Sequence, residues 1–386
     1  MVDKNLFLYD LSVVAIMKFE APYLKEWLDY HLAAGVDHFY LYDNGSPDNQ
    51  SEVVRPYVEA GLVDYFSIHG KLMQMFAYND AIKNFKFLSR YMAFIDLDEF
   101  IFPKSNRSVV EVVDEVLSRN PNAAALGINW QCFGSNGQEA ADYSRGVLER
   151  FTQRAPSDWT PDGGGNAHIK TIANPRMINT FLNPHFPFYL AGVFCVNENG
   201  GEVPEAFNAP VMTDKIVVNH YHTKSREEYL LKRGRGRADI LGDDYDDAKF
   251  NAHDRNEIFD DGILKYRASR TENFPREGDE QRLARLTYTL KKNLSGAKIS
   301  VEAALACRAL STYLREKFPD DDIWKFCEYS SLSAVLRSLN NFNVVDLQLF
   351  LRELPNLLSL PYAVVKELSD VVTLKIVPQI MNAGNK

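Results

Sequence analysis

Two carboxylates one residue apart are the first chemical signal. In Phe94-Ile-Asp-Leu-Asp-Glu-Phe100, Asp96 and Asp98 close an apolar run of strand length. In open α/β sheets the ligand crevice lies just outside the carboxyl ends of the strands. An extended backbone sends residues i and i+2 to one side, so an extended reading brings Asp96 and Asp98 together. Two hard oxygen ligands there suit Mg²⁺ or Mn²⁺, with substrate phosphates and water completing the shell. The chemistry would be Lewis-acid neutralisation of a departing diphosphate. Taken alone, Asp-x-Asp describes a solvated acidic turn equally well.

Three further groups bear on that reading. In His220-Tyr-His222, alternation puts both imidazoles on one side of a strand, and neutral imidazole favours Mn²⁺ over Mg²⁺. Lys224-Ser-Arg226 and Lys232-Arg-Gly-Arg-Gly-Arg237, with Arg235 in its middle, form a cationic cluster in a chain of net charge −9. Cations there would stabilise a leaving diphosphate, or simply suit a solvated helix end. Asp43, with Asp48 close behind, ends another predicted strand; it would accept bonds from a base or ribose, or close an Asx turn. His31, on the Trp27 face of a predicted helix, reads as a satisfied core histidine.

The elements that must position these residues follow from periodicity. Residues 12–17 form a continuous apolar run, as in a strand buried on both faces. Leu24, Trp27, Leu28, His31 and Leu32 have helical spacing, and Gly35 stops that helix. Strands over 38–42, 62–68 and 91–97 alternate with helices over 51–59 and 76–87. This βαβ rhythm predicts a doubly wound, mostly parallel α/β sheet. Short strands over 123–129 and 215–219 follow among Gly-, Pro- and Asn-rich loops, of which 161–166 reads as the loosest. Helical periodicity dominates after Glu280. A charged, non-periodic stretch over 271–279 separates a domain at 1–270 from a helical region at 271–386.

In order along the chain, the motifs resemble those of family-92-like glycosyltransferases, relatives of the inverting family 2 with the GT-A fold. They are Glu20-Ala-Pro-Tyr-Leu-Lys-Glu-Trp-Leu-Asp-Tyr-His31, Gly35-Val-Asp-His-Phe-Tyr-Leu-Tyr-Asp-Asn44, Gln74 with Ala77-Tyr-Asn-Asp80, and the Asp96/Asp98 segment. Asn129-Trp-Gln-Cys-Phe-Gly-Ser135, Ile169-Lys170 and Asn219-His-Tyr-His-Thr-Lys-Ser225 complete the series. The resemblance spans about residues 12–240. It implies that Asp96, Asp98 and His220 hold the metal, and that Glu20, Asp43 and Asn79 lie on the nucleotide side. Many relatives carry Asn-Glu where this chain has Phe19-Glu20, which removes a side-chain contact at position 19.

The resulting expectation is a metal-dependent, inverting hexosyltransferase that uses a nucleotide-sugar, UDP-linked by analogy, and a glycan or lipid-linked glycan acceptor. Lys224 and Arg235 would meet the diphosphate. An inverting transfer needs a carboxylate to take the acceptor proton; Glu149 is the first candidate and Asp239 the second, with Asp158 and Asp162 behind them. A sugar nucleotidyltransferase would carry a glycine-rich basic loop after its first strand, and 17–22 is neither. A non-catalytic glycan binder would tolerate loss of Asp98 and His220, yet both are present. Net acidity argues against a nucleic-acid partner. Four scattered cysteines without a CxxC pair suggest a reducing compartment. With no leader or spanning run visible, a cytoplasmic enzyme is expected, acting at a membrane only from its surface.

Overall fold

The structure, a computed structural model, describes residues 2–235, 247–268, 279–296, 298–319, 322–339 and 342–358. The chain divides into two compact units: residues 9–189 with 193–276, and residues 1–8 and 190–192 with 277–386.

The larger unit runs β1 (Tyr9–Met17), α1 (Ala21–Ala33), β2 (His38–Asp43), α2 (Gln50–Glu59), β3 (Val63–Ser67), α3 (Gln74–Phe85), β4 (Ser89–Phe94), β5 (Glu99–Pro103), α4 (Val109–Leu117) and β6 (Ala123–Cys132). It continues through α5 (Val147–Arg150), β7 (Gln153–Arg154), β8 (Ile169–Ala173), β9 (Ile178–Phe181), β10 (Pro187–Tyr189), β11 (Phe194–Val196), β12 (Glu202–Val203), β13 (Ile216–His220), α6 (Arg226–Arg235), α7 (Asp247–His253), β14 (Ile258–Phe259) and α8 (Lys265–Ala268). One sheet follows the order β12-β11-β6-β8-β4-β1-β2-β3, and β13 pairs with both β5 and β6. Strands β3, β2, β1 and β4 are mutually parallel. β8 enters antiparallel between β4 and β6. The fold is therefore the mostly parallel α/β sheet expected from the periodicity.

The apolar run of β1 shows why. Leu11, Val13, Ala15 and Met17 enter one core, with Trp27, Leu28 and Val112. Val14 and Ile16 enter a second core on the opposite face, with Ala77, Tyr78 and Ala81. Helices α1 and α4 thus cover one face and α3 the other. Each fully buried side chain of this size contributes roughly 1.5–3 kcal/mol, enough to specify both faces. Gly35, at φ 100°, lets the chain leave α1; a Cβ there would lie 2.9 Å from the Ser108 Cβ. Ser108 in turn forms a capping box with Glu111 at the start of α4.

One local expectation changes and one holds. The 161–166 segment folds into 3₁₀ turns, and Asn166 is buried with its amide on the Cys132 N–H (2.9 Å) and the Pro156 carbonyl (2.9 Å). His31 is the core histidine expected: Nδ1 lies 2.8 Å from the Trp27 carbonyl, and Nε2 accepts from Ile101 N–H.

The smaller unit is helical: α9 (Asp279–Ser295), α10 (Val301–Lys317), α11 (Asp322–Ser338) and α12 (Val344–Leu358). Ser300 caps α10, whose Ala304, Leu305, Cys307 and Leu310 are buried. Among the described residues no helix is long and apolar enough to cross a membrane. The 271–278 stretch lies outside the described residues.

Candidate functional site

The site grows from the link between β4 and β5. The Glu99 N–H donates to the Asp96 carbonyl at 3.1 Å, so 96–99 is a turn and not extended strand. This corrects the expectation that alternation places Asp96 and Asp98 together. The turn hands the chain to β5, which pairs antiparallel with β13 from Ile216↔Pro103 to His220↔Glu99. β13 also pairs with β6, bringing His220 opposite Cys132. The two carboxylates then meet different partners.

Asp98 is buried. Its carboxylate accepts a bond from Lys232 Nζ on α6 and lies 3.6 Å from His220 Nε2. His222 Nδ1 lies 3.5 Å from the same Lys232 ammonium. Ligand-capable atoms of Asp98, His220 and His222 all lie within 4.8 Å of one another. Burial alone would push the Asp98 carboxyl up; Lys232, His220 and Lys224 outweigh it and hold the group well below the usual range. Burial lowers both histidines, with the Lys232 charge acting in the same direction. The group is therefore one ionised carboxylate with two neutral imidazoles. His220 packs on Trp130, ring centroids 4.2 Å apart, and its Nδ1 is buried without a hydrogen-bond partner. Two imidazoles and one carboxylate suit a borderline divalent ion such as Mn²⁺ better than Mg²⁺. As the alternation of 220–222 predicts, the His220 and His222 rings are neighbours (5.4 Å), while Tyr221 stacks on Phe133 on the other side.

Asp96 belongs to a neighbouring arrangement centred on a lysine. It accepts from Gln74 Nε2 (2.7 Å) and Lys170 Nζ (2.9 Å). Lys170, on β8, is buried and also lies 3.4 Å from Glu99 Oε2. That oxygen accepts the Asp96 N–H at 2.8 Å and pins the turn. Burial pushes the Glu99 carboxyl up, and the charges of Asp96 and Asp98 add to it against Lys170. Among the described residues, the converging ligand group contains Asp98 and His220 but not Asp96.

The other predicted residues fall elsewhere. Asp43, at the end of β2, accepts from the Ser46 N–H (3.0 Å) and the Tyr65 hydroxyl (2.7 Å), which is the Asx turn. Glu20 is buried at the start of α1, its N–H on Gln50 Oε1 (3.2 Å). The Asn79 amide brackets β9, donating to the Phe181 carbonyl (2.9 Å) and accepting from the Phe181 N–H (2.8 Å). Lys224 is buried at φ 52°, its Nζ 4.6 Å from the centre of the Tyr23 ring. Glu149 pairs with Arg145 (3.2 Å) on the partly exposed α5. Arg235 is the last residue of α6, and its side chain lies outside the described residues, as does Asp239. Asp158 is exposed and Asp162 adopts φ 49° in an exposed 3₁₀ turn. A cavity of about 320 Å³ lies apart from the ligand group, between α1 and residues 143–150, lined by Tyr23, Glu26, Tyr143 and Arg145 among others.

Three contacts do not follow from the sequence pattern. In sequence Lys232 reads as part of the cationic cluster, and the fold pairs it with Asp98. Lys170 gave a signal, a lysine inside a short, fully buried strand. The third is the buried pair Arg150–Glu228 that anchors α6, at 2.8 and 2.7 Å; Ser225-Arg-Glu-Glu228 is a capping-box pattern and could have revealed half of it.

Comparison with known proteins bears on this geometry. A glycosyltransferase family 92 protein of Ricinus communis is 24% identical over 254 residues, covering 64% of this chain and 41% of that protein. A galactan β-1,4-galactosyltransferase of Arabidopsis thaliana is 29% identical over 100 residues, 23% of this chain and 19% of its own length. The chain thus spans about two-fifths or less of these curated relatives. Among solved structures, S. aureus TarS aligns over 83% of this chain and 55% of its own, with 14% identity and a TM-score of 0.32. The family model described as glycosyltransferase family 92 matches residues 13–238, a stretch that holds Asp98, His220, His222 and Lys232, and the chain belongs to that family.

Proposed function

We propose that this chain is a metal-dependent, inverting glycosyltransferase that moves a hexose, galactose first among them, from a UDP-sugar to a glycan acceptor. The observation that carries this reading is the convergence of Asp98, His220 and His222 at the carboxyl side of β4 in a family-92 chain. Galactose is favoured because matching relatives are galactan β-1,4-galactosyltransferases. Asp98, His220 and His222 would hold the ion. A bound Mn²⁺ supplies Lewis acidity to the departing diphosphate. Asp98 keeps its charge at neutral pH because Lys232 outweighs the cost of burying its carboxylate. Lys170 and Glu99 brace the turn that presents Asp98. Lys224 adds positive potential beside Asp98, and Arg235 is the further diphosphate candidate. Glu149 would act as base only after releasing Arg145; Asp239 is the competing candidate. A lipid-linked acceptor and a cytoplasmic location belong to the same proposal. The test is a donor-hydrolysis screen across UDP- and GDP-sugars, with Mn²⁺, with Mg²⁺ and with EDTA. Release of UDP from a UDP-hexose with Mn²⁺, abolished by EDTA, supports the reading; equal release in excess EDTA overturns its metal dependence.

A further inference from the structure

Lys232 holds an unusual position. Its ammonium bonds Asp98 and stands 3.5 Å from His222 Nδ1. It therefore engages two of the three residues whose ligand atoms converge. Its side chain is only 14% exposed and that of Asp98 only 7%, so solvent screens the pair weakly. A divalent ion bound to Asp98 and His222 would sit beside that ammonium. Two cations drawn to one carboxylate and one imidazole in a weakly screened site repel strongly.

The helix makes release of that lysine feasible. The start of α6 is fixed: Glu228 accepts from the Ser225 N–H (3.1 Å) and hydroxyl (2.6 Å), and Arg150 closes on it from α5. Lys232 lies one turn beyond this anchor, on a flexible four-carbon stem with a compact charge. It can swing while its helix stays. The anion that arrives with a nucleotide-sugar is a diphosphate, a natural acceptor for a point-charge ammonium.

We propose that Lys232 is an internal counter-cation of the Asp98–His220–His222 group, which a divalent ion must displace and which then passes to the donor diphosphate. The inference rests on the metal reading above. It gives Lys232 two effects of opposite sign. Without nucleotide the lysine competes with the ion; with nucleotide it assists the ion. A lysine serving only to hold the fold together would weaken both bindings when removed.

The experiment is a pair of titrations on the full chain, each variant first checked for a cooperative thermal transition. Mn²⁺ binding without nucleotide is read by the electron paramagnetic resonance of free Mn²⁺. UDP binding at saturating Mn²⁺ is read by calorimetry. The variants are Lys232→Met, Lys232→Arg and Asp98→Asn. Lys232→Met is expected to bind Mn²⁺ about tenfold tighter than wild type and UDP about tenfold more weakly, the change typical of one charge-assisted contact. Lys232→Arg keeps the charge and stays near wild type for Mn²⁺. If Asp98→Asn loses Mn²⁺ while Lys232→Met binds it no tighter than wild type, the displacement idea fails and the metal reading survives. If Asp98→Asn binds Mn²⁺ as wild type does, the metal reading fails and takes this inference with it.

Discussion

Breaking the Arg150–Glu228 pair should separate the stability of the site from its chemistry. Both side chains are about 1% exposed, and the guanidinium meets both carboxylate oxygens. Glu228 also accepts from the Ser225 N–H and hydroxyl and from the Tyr23 hydroxyl (2.9 Å). Glu228→Leu leaves a buried guanidinium without its counter-charge, a loss of about 3–5 kcal/mol. Losing the helix cap adds about 1 kcal/mol. Arg150→Met strands the carboxylate in the same way. The double variant removes both charges and should lose only about 1–2 kcal/mol, from the cap and the Tyr23 hydroxyl bond. It should therefore be more stable than either single variant by roughly 2–3 kcal/mol. Urea unfolding at neutral pH, followed by circular dichroism, measures all four proteins. Single variants each losing under about 1 kcal/mol, or a double variant worse than both, would refute the reasoning. Acid offers an independent reading. Burial alone would push the Glu228 carboxyl up, but its bonds to Arg150 and Ser225 pull it down to about 2 from 4.5. A depressed carboxyl stabilises the fold above its unfolded value and stops doing so as pH falls through the folded one. The gap between wild type and the double variant should close between pH 4.5 and about 2.

Two further outcomes follow from His31 and Asn79. Burial lowers His31 to about 3, so it stays neutral in the fold while the unfolded chain protonates it below about 6.5. The stability gap between wild type and His31→Leu should then shrink by about 1.4 kcal/mol per pH unit well below 6.5; a gap constant from pH 7 to pH 5 contradicts this. Asn79→Ala should lose about 2 kcal/mol by stripping two backbone bonds from β9, with UDP affinity unchanged at a temperature where the variant is folded. A selective loss of UDP affinity at unchanged thermal stability would return Asn79 to the nucleotide.

The frame was legible because it rests on local pattern. The β1 run is apolar at successive positions since both of its faces are covered, and Gly35 stops α1 since the chain turns at φ 100° there. The turn at 96–99 was not legible. Ile95 and Leu97 alternate with aspartates as in a strand, and the deciding bonds come from Glu99 and from the pairing of β5 with a strand more than 100 residues away. Distance also hid the partners of the site. Lys232 and Asp98 are 134 residues apart, and Lys170 and Asp96 are 74 apart. A cationic run reads as solvated surface unless the fold shows which lysine turns inward. The histidine pair was legible because the i, i+2 spacing carries past the end of β13 at His220 and leaves the two rings 5.4 Å apart.

The most direct test of the central claim is product formation by wild type and Asp98→Asn, with UDP-galactose, a β-linked galactan oligosaccharide and Mn²⁺. Elongated product is measured by mass spectrometry, and each protein is first shown to be folded. The account predicts elongation by wild type that stops in EDTA and returns with Mn²⁺. It predicts at least a ~100-fold loss in Asp98→Asn, the scale on which removing one preorganised electrostatic group acts. Elongation by Asp98→Asn at the wild-type rate, or by wild type in excess EDTA, would contradict it.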